Sequence, residues 1–225
     1  MKKKSLSVRK KIHKKLVSFL KDQRINRTYN LFIRNLKTTN KNPPFAVAVS
    51  GGPDSLALTF LFMCFSIKND TKIFFYHVDH RLRQNSQLEG KILYKNLLKY
   101  GIKTKILVWK GKKPKSNIQS LARNERYALI LKQSKKDKVN SIFTAHHEDD
   151  FFENFFIRLL RGSGLEGFVS FNSIENKSNK MINIVRPLIN ISKFDLNYIS
   201  KKVFDFVITD PSNKNTNFKR IRMRN

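Results

Sequence analysis

The stretch Phe45-Ala46-Val47-Ala48-Val49-Ser50-Gly51-Gly52-Pro53-Asp54-Ser55 decides how the rest of the chain is read. Phe45–Ser50 is a short apolar run with the character of a buried strand, and a helical pattern follows from Asp54 to Ile67. Two glycines at the join permit positive φ and let backbone N–H groups approach a ligand with no Cβ in the way. Pro53 suits the first helical turn, where its missing N–H is no loss. The helix start then offers free amides and the positive end of its dipole to an anion. Ser50 and Ser55 add hydroxyl donors. Asp54 has the wrong sign to meet phosphate directly, so an acid there implies a cation such as Mg²⁺ between the two. Ser50, Gly51, Gly52, Pro53, Asp54 and Ser55 are therefore a candidate phosphate loop, with Asp54 as candidate metal ligand. The string is neither the Gly-Lys-Ser/Thr loop nor the GxGxxG turn.

Outward from this loop the pattern alternates. Strands are expected at Lys72–Val78, Lys103–Trp109 and Ser141–Ala145, with helices at Ser86–Tyr100, Asn117–Lys135 and about 148–160. Such alternation predicts an α/β domain: a Rossmann-like parallel sheet flanked by helices on both faces. A smaller region then carries a strand near Ile182–Val185, a helix near Lys193–Lys201 and a strand near Asp205–Ile208. The Asn/Lys-rich stretch Asn172–Lys180 reads as an exposed loop.

On the N-terminal side, residues 1–41 hold fourteen Lys or Arg against one acid, Asp22. Ile12, Leu16, Phe19 and Leu20 recur at helical spacing, as do Tyr29, Phe32, Ile33 and Leu36. This predicts a basic helical extension over 1–42 of one or two amphipathic helices, ended by Asn42-Pro43-Pro44 before the α/β domain over 43–225. The whole chain has net charge +30, from 46 basic and 16 acidic residues, which points to a polyanionic partner. Part of that lysine is compositional bias, since Lys, Asn, Ile and Phe are abundant throughout. The single cysteine, Cys64, lies within an apolar helix (Leu58, Leu61, Phe62, Phe65) and reads as a buried core thiol. It can form no internal disulfide, so a reducing compartment is expected: the cytoplasm, or an organelle matrix or stroma. No apolar run reaches the ~20 residues a membrane span needs.

Further strings carry polar and charged residues at element ends. His77-Val78-Asp79-His80-Arg81-Leu82-Arg83 closes the second strand, and Ala122-Arg123 with Arg126-Tyr127 lies on the third helix. Thr144-Ala145-His146-His147-Glu148-Asp149-Asp150-Phe151-Phe152-Glu153 closes the fourth strand and opens a helix. Arg161-Gly162-Ser163-Gly164-Leu165-Glu166-Gly167, Arg186-Pro187-Leu188 and Asp210-Pro211-Ser212-Asn213 follow. His146 and His147 are adjacent and diverge from a strand end, a poor arrangement for a shared metal. Asp150 and Glu153 are three apart at a helix start and project from one face.

The loop resembles that of the N-type ATP pyrophosphatases (the PP-loop superfamily). In this order the later strings resemble the catalytic domain of the tRNA(Ile)-lysidine synthetase family, from about Phe45 to the last residue. Asp79 stands where that family usually has Asn, and Asn154 where it often has Thr. The resemblance implies a ligase that adenylates the wobble cytidine of the CAU-anticodon tRNA(Ile) on its C2 oxygen, releasing pyrophosphate. The ε-amine of L-lysine then displaces AMP, forming lysidine and changing the decoding from Met to Ile. ATP is a substrate and Mg²⁺ its companion ion. The resemblance makes Asp54, Asp150 and Glu153 candidate catalytic residues, the last two holding the lysine. His80, Arg83, Arg123, Arg126, His146, Arg161 and Arg186 are weaker candidates for tRNA or phosphate contact. It also implies that Arg220-Ile221-Arg222-Met223-Arg224-Asn225 leads into tRNA-gripping domains that this sequence lacks, leaving segment 1–41 as the candidate for that role. Two other readings stay open: another tRNA-modifying or amidating enzyme of the superfamily, and a catalytically silent RNA-binding homologue.

Overall fold

The computed structural model describes residues 2–39, 41–111, 118–147, 175–179 and 182–208. Two helices, α1 (Lys2–Ser18) and α2 (Gln23–Thr38), joined by a 3₁₀ turn at Phe19–Lys21, precede β1 (Phe45–Ala48). Then come α3 (Pro53–Asn69), β2 (Ile73–Asp79), α4 (Ser86–Lys99), β3 (Thr104–Val108), α5 (Ile118–Lys136) and β4 (Ser141–Phe143). β5 (Glu175–Asn179), β6 (Ile182–Val185) and α6 (Lys193–Val203) complete the described elements.

The strands form one sheet in the order β3-β2-β1-β4-β6-β5. All neighbouring pairs are parallel except β5 with β6, which is antiparallel. Pleating sends Phe45, Val47 and Val49 to one face, where they join buried residues of α3, α4 and α6. Ala46, Tyr76, Ile142 and Ile182 face the other way, against Ile130 of α5 and Val139. The expected parallel sheet with helices on both faces is what the apolar strand pattern produces.

Two expectations are corrected. Within Asn172–Lys180, Glu175–Asn179 is an edge strand on β6 and not a loop. Its polar sequence gives no hydropathy signal, because the pairing runs through backbone groups. Asp205–Ile208 is not a strand; it pairs with no strand among the described residues, and packs Phe206 and Ile208 against the core instead. The helix expected at about 148–160 and the Asp210–Asn213 turn lie outside the described residues.

The N-terminal helices share the main core. Leu16, Leu20, Ile25, Tyr29, Phe32 and Leu36 are buried in the same cluster as α3 and the sheet. An aromatic chain runs inward: the Phe32 ring centroid lies 4.9 Å from Phe62, and Phe62 lies 4.7 Å from Phe143 of β4. Asp22 caps α2 by accepting from the N–H groups of Arg24 and Ile25 at 3.0 and 3.1 Å. The same carboxylate accepts from Lys202 Nζ and Tyr198 Oη, both at 2.8 Å, tying α2 to α6. Arg24 completes the joint, donating to Asp195 at 2.6 Å with its guanidinium 4.0 Å above the Phe194 ring. No helix among the described residues is long and apolar enough to cross a membrane.

Candidate active site

In an open parallel sheet the ligand crevice forms beyond the carboxyl ends of the strands, where the chain order reverses. Here β1 has β2 on one side and β4 on the other, so the crevice falls between β1 and β4. The glycine loop leaves β1 at that point and enters α3. Gly51 has φ +93° and Gly52 is the N-cap, with no side chain capping the helix. The orphan N–H groups of the first turn are thus left for a ligand. A Cβ on Gly51 would stand 2.8 Å from Ile208 Cγ1, and the Ile208 N–H donates to the Gly51 carbonyl at 3.0 Å. The segment expected to be a strand therefore buttresses the loop.

Ser55 organises the loop from within. Its Oγ accepts from the N–H groups of Ser50 and Gly51 at 3.2 and 3.0 Å and from Ser50 Oγ at 3.0 Å, and donates to the Gly52 carbonyl at 2.9 Å. That commits its one proton to the backbone. Ser50, exposed at the tip, is the hydroxyl positioned to turn toward a ligand.

Asp54 follows in the first helical turn. Its side chain is 30% exposed, yet Oδ1 is buried with no hydrogen-bond partner among the described residues. Oδ2 lies 3.4 Å from Nε2 of His147, a buried residue beyond β4 that bridges to Leu188. The pair spans the crevice between β1 and β4. An oxygen buried without a partner is costly unless something supplies one, and a hard cation suits a carboxylate oxygen. Asp54 is the described carboxylate that could hold a divalent cation beside the loop. No group of three or more His, Cys, Asp or Glu side chains among the described residues forms a protein-only cage.

At the end of β2, His77 Nδ1 lies 2.9 Å from the Val49 carbonyl, which can only accept, so the proton is on Nδ1. Asp79 is buried and accepts from the Arg81 N–H at 2.9 Å, in a turn where Arg81 has φ +50°. An asparagine would supply the same acceptor, which accounts for aspartate being tolerated there. His80 Nε2 accepts from Arg126 Nε at 3.3 Å, joining β2 to α5. Burial, with Arg126 and His77 adding to it, holds the His80 pKa down to about 4. Burial also lowers that of His77.

The remaining candidates divide. Arg83 is drawn 3.0 Å from Glu89 on α4, and exposed Arg123 lies over the Tyr127 ring at 5.5 Å. His146 Nδ1 is 2.9 Å from Thr144 Oγ1. Arg186 is buried directly after β6. The geometry thus brings together the loop, Asp54 and His147 at one point, and His80 with Arg126 at another. Asp150, Glu153 and Arg161 lie outside the described residues. His147 and Ile208 are the residues that sequence reasoning left without a role. The divergence of adjacent histidines was the available signal for His147, since only one of them can face the loop. Cys64 is fully buried, its thiol pushed up to about 12 by desolvation.

Known proteins bear on this arrangement in two ways. A family profile described as a PP-loop domain matches residues 21–225. The chain is 38% identical over 185 residues to the tRNA(Ile)-lysidine synthase of Orientia tsutsugamushi, covering 82% of this chain and 41% of that protein. It is 33% identical over 184 residues to the one from Bradyrhizobium diazoefficiens, covering 81% and 50%. The chain thus spans about half the length, or less, of these two curated relatives. Among solved structures, the U34-tRNA thiolase NcsA of Methanococcus maripaludis with its [4Fe-4S] cluster superposes with a TM-score of 0.71. At 19% identity, covering 84% of this chain and 67% of that one, it speaks for the fold.

Proposed function

We propose, from the premise that this chain belongs to the PP-loop domain family, that it ligates L-lysine to C2 of the wobble cytidine of a CAU-anticodon tRNA(Ile). ATP is consumed to AMP and pyrophosphate. The observation that carries the reading is an anion-ready loop at the β1/β4 switch point in a chain whose relatives bear the name tRNA(Ile)-lysidine synthase.

The backbone N–H groups of Gly52, Asp54 and Ser55 and the Ser50 hydroxyl bind the ATP phosphates, aided by the α3 dipole. Asp54 would hold Mg²⁺, which when bound would offset phosphate charge and polarise the phosphoryl centre. His147 holds the second oxygen of Asp54 and so fixes its direction. The cytidine O2 attacks the α-phosphorus and pyrophosphate leaves. Adenylation is needed because a bare carbonyl-derived oxygen leaves poorly, whereas AMP leaves well. Asp150 and Glu153 hold the lysine by its charge, and the ε-amine loses a proton as it attacks C2, since the ammonium form (pKa ~10.4) has no lone pair to offer. His80, Arg126, His146, Arg161 and Arg186 contact RNA or phosphate. Arg83 and Arg123 do so after leaving Glu89 and Tyr127. The reaction belongs to the cytoplasm or an organelle matrix, where tRNA is matured.

Sulfur transfer on this fold has little to use here: Cys64 is the one thiol in these 225 residues, and it is buried and held protonated. The test is incubation of the protein with labelled lysine, ATP, Mg²⁺ and a CAU-anticodon tRNA(Ile) transcript, followed by nucleoside analysis. ATP-dependent label in a nucleoside derived from the wobble cytidine is expected. Unlabelled tRNA alongside demonstrable RNA and ATP binding would contradict the reading.

A further inference from the structure

Two grooves of about 690 and 720 Å³ lie on the N-terminal helices, away from the glycine loop. One runs along α2 and the other between α1 and the end of α3. Six cations line them: Lys21 in both, Arg27 and Arg34 in the first, Lys10, Lys14 and Lys68 in the second. Neither lining contains an acid. Elsewhere among the described residues four carboxylates each meet a cation: Asp22 with Lys202, Asp195 with Arg24, Glu89 with Arg83, Asp137 with Lys105. None of the six groove cations has a carboxylate within ion-pair range among the described residues. The extension's own acid is turned inward to cap α2 and bind α6, so it cannot neutralise them.

We propose that these paired grooves bind the phosphate backbone of the substrate RNA, at a distance from the nucleotide being modified. This rests on the RNA-substrate reading above and adds to it a surface. Lys68 is fifteen residues along α3 from Pro53, which at ~1.5 Å per residue is about 22 Å from the loop. Double-stranded nucleic acid carries about one phosphate per ~1.7 Å of axis, so an RNA with one nucleotide at the loop carries about a dozen phosphates over that span. Contacts to phosphate fix register without reading sequence, a role suited to lysines and arginines in a concave surface. A membrane surface is the poorer match. Among the described residues of α1 and α2, Val8 is the one large apolar side chain that stands exposed, and a membrane-bound helix needs an apolar stripe.

The test compares the whole chain with the combined variant Lys14→Gln, Arg27→Gln, Arg34→Gln, in which each replaced side chain is exposed. A fluorescent CAU-anticodon tRNA transcript is titrated at several salt concentrations, with ATP titrated separately. Three lost contacts should reduce the slope of log K against log salt by about 2 and weaken binding at least tenfold at low salt, each contact contributing roughly 0.7 to 0.9. ATP binding should be unchanged. Should the combined variant melt early, Arg27→Gln and Arg34→Gln taken singly should each lower the slope by about 0.7 to 0.9. An unchanged slope and affinity in a folded variant would overturn the proposal. So would equal loss of ATP binding, or wild-type protein that binds phosphatidylserine vesicles and ignores RNA. Failure to form lysidine, with the slope lost as expected, would count against the function above and leave the groove standing.

Discussion

The two ends of α3 offer anions different physics. At its start the loop uses directed groups: free backbone N–H donors, a glycine at φ +93°, and one carboxylate with an unmatched oxygen. At its far end, Lys68 joins exposed cations of α1 and the 3₁₀ turn in a field without carboxylate partners. The first arrangement fixes the position of one phosphate group; the second attracts many phosphates and specifies none. A short loop written in glycine can be broken by one methyl group. A charged groove can be weakened by degrees, but the helices that carry it belong to the core.

The largest effect should therefore come from the core beneath the groove. Phe32→Ala removes a fully buried ring that contacts Phe62 and should cost about 3–5 kcal/mol. Urea denaturation measures this; a loss below about 1 kcal/mol would mean the extension is a detachable arm. The same packing makes deletion of residues 1–38 a poor test of RNA binding. It would strip six buried apolar residues at about 1.5–3 kcal/mol each, comparable to the whole stability of a domain.

Gly51→Ala should act at the opposite end of α3 and be smaller in stability, about 1–3 kcal/mol, because it forces a side chain into positive φ and against Ile208. Its effect on nucleotide should exceed its effect on folding: ATP affinity should fall at least tenfold while RNA affinity and its salt slope hold. Equal losses of both ligands would erase the distinction between the two ends.

The smallest effect is a pH dependence at the crevice. Burial holds the pKa of His77 and His80 below the ordinary value, His80 down to about 4, and that of His13 is lowered too. The fold favours the neutral rings, so their contribution is present above about pH 6.5 and is lost as pH falls toward 4. Denaturation midpoints at pH 7 and pH 4.5 should differ, with a drop that His80→Asn reduces. Carboxylates such as Asp22 and Asp195, whose pKa values lie below the ordinary range, keep their stabilising contribution down to about pH 4 and lose it only below that.

What the sequence disclosed follows the same division. The glycine loop, the alternation of strand and helix and the buried Cys64 were legible because each is a local pattern with one physical meaning. Edge strand Glu175–Asn179 was not, since backbone pairing leaves no mark in polar residues. Nor was the buttress of Ile208 on Gly51, or the reach of His147 to Asp54, because each joins residues distant in sequence and depends on strand order. The fourteen basic residues of the extension were visible, but not that Asp22 and Asp195 engage their neighbours while the groove cations remain without carboxylates.

The most direct test counts products. With ATP, Mg²⁺, lysine and CAU-anticodon tRNA(Ile), the wild-type protein should yield AMP, pyrophosphate and tRNA-bound lysine in equal amounts, and Asp54→Ala should reduce all three by at least a hundredfold. Release of ADP, or pyrophosphate formed at the normal rate by Asp54→Ala, would contradict the account.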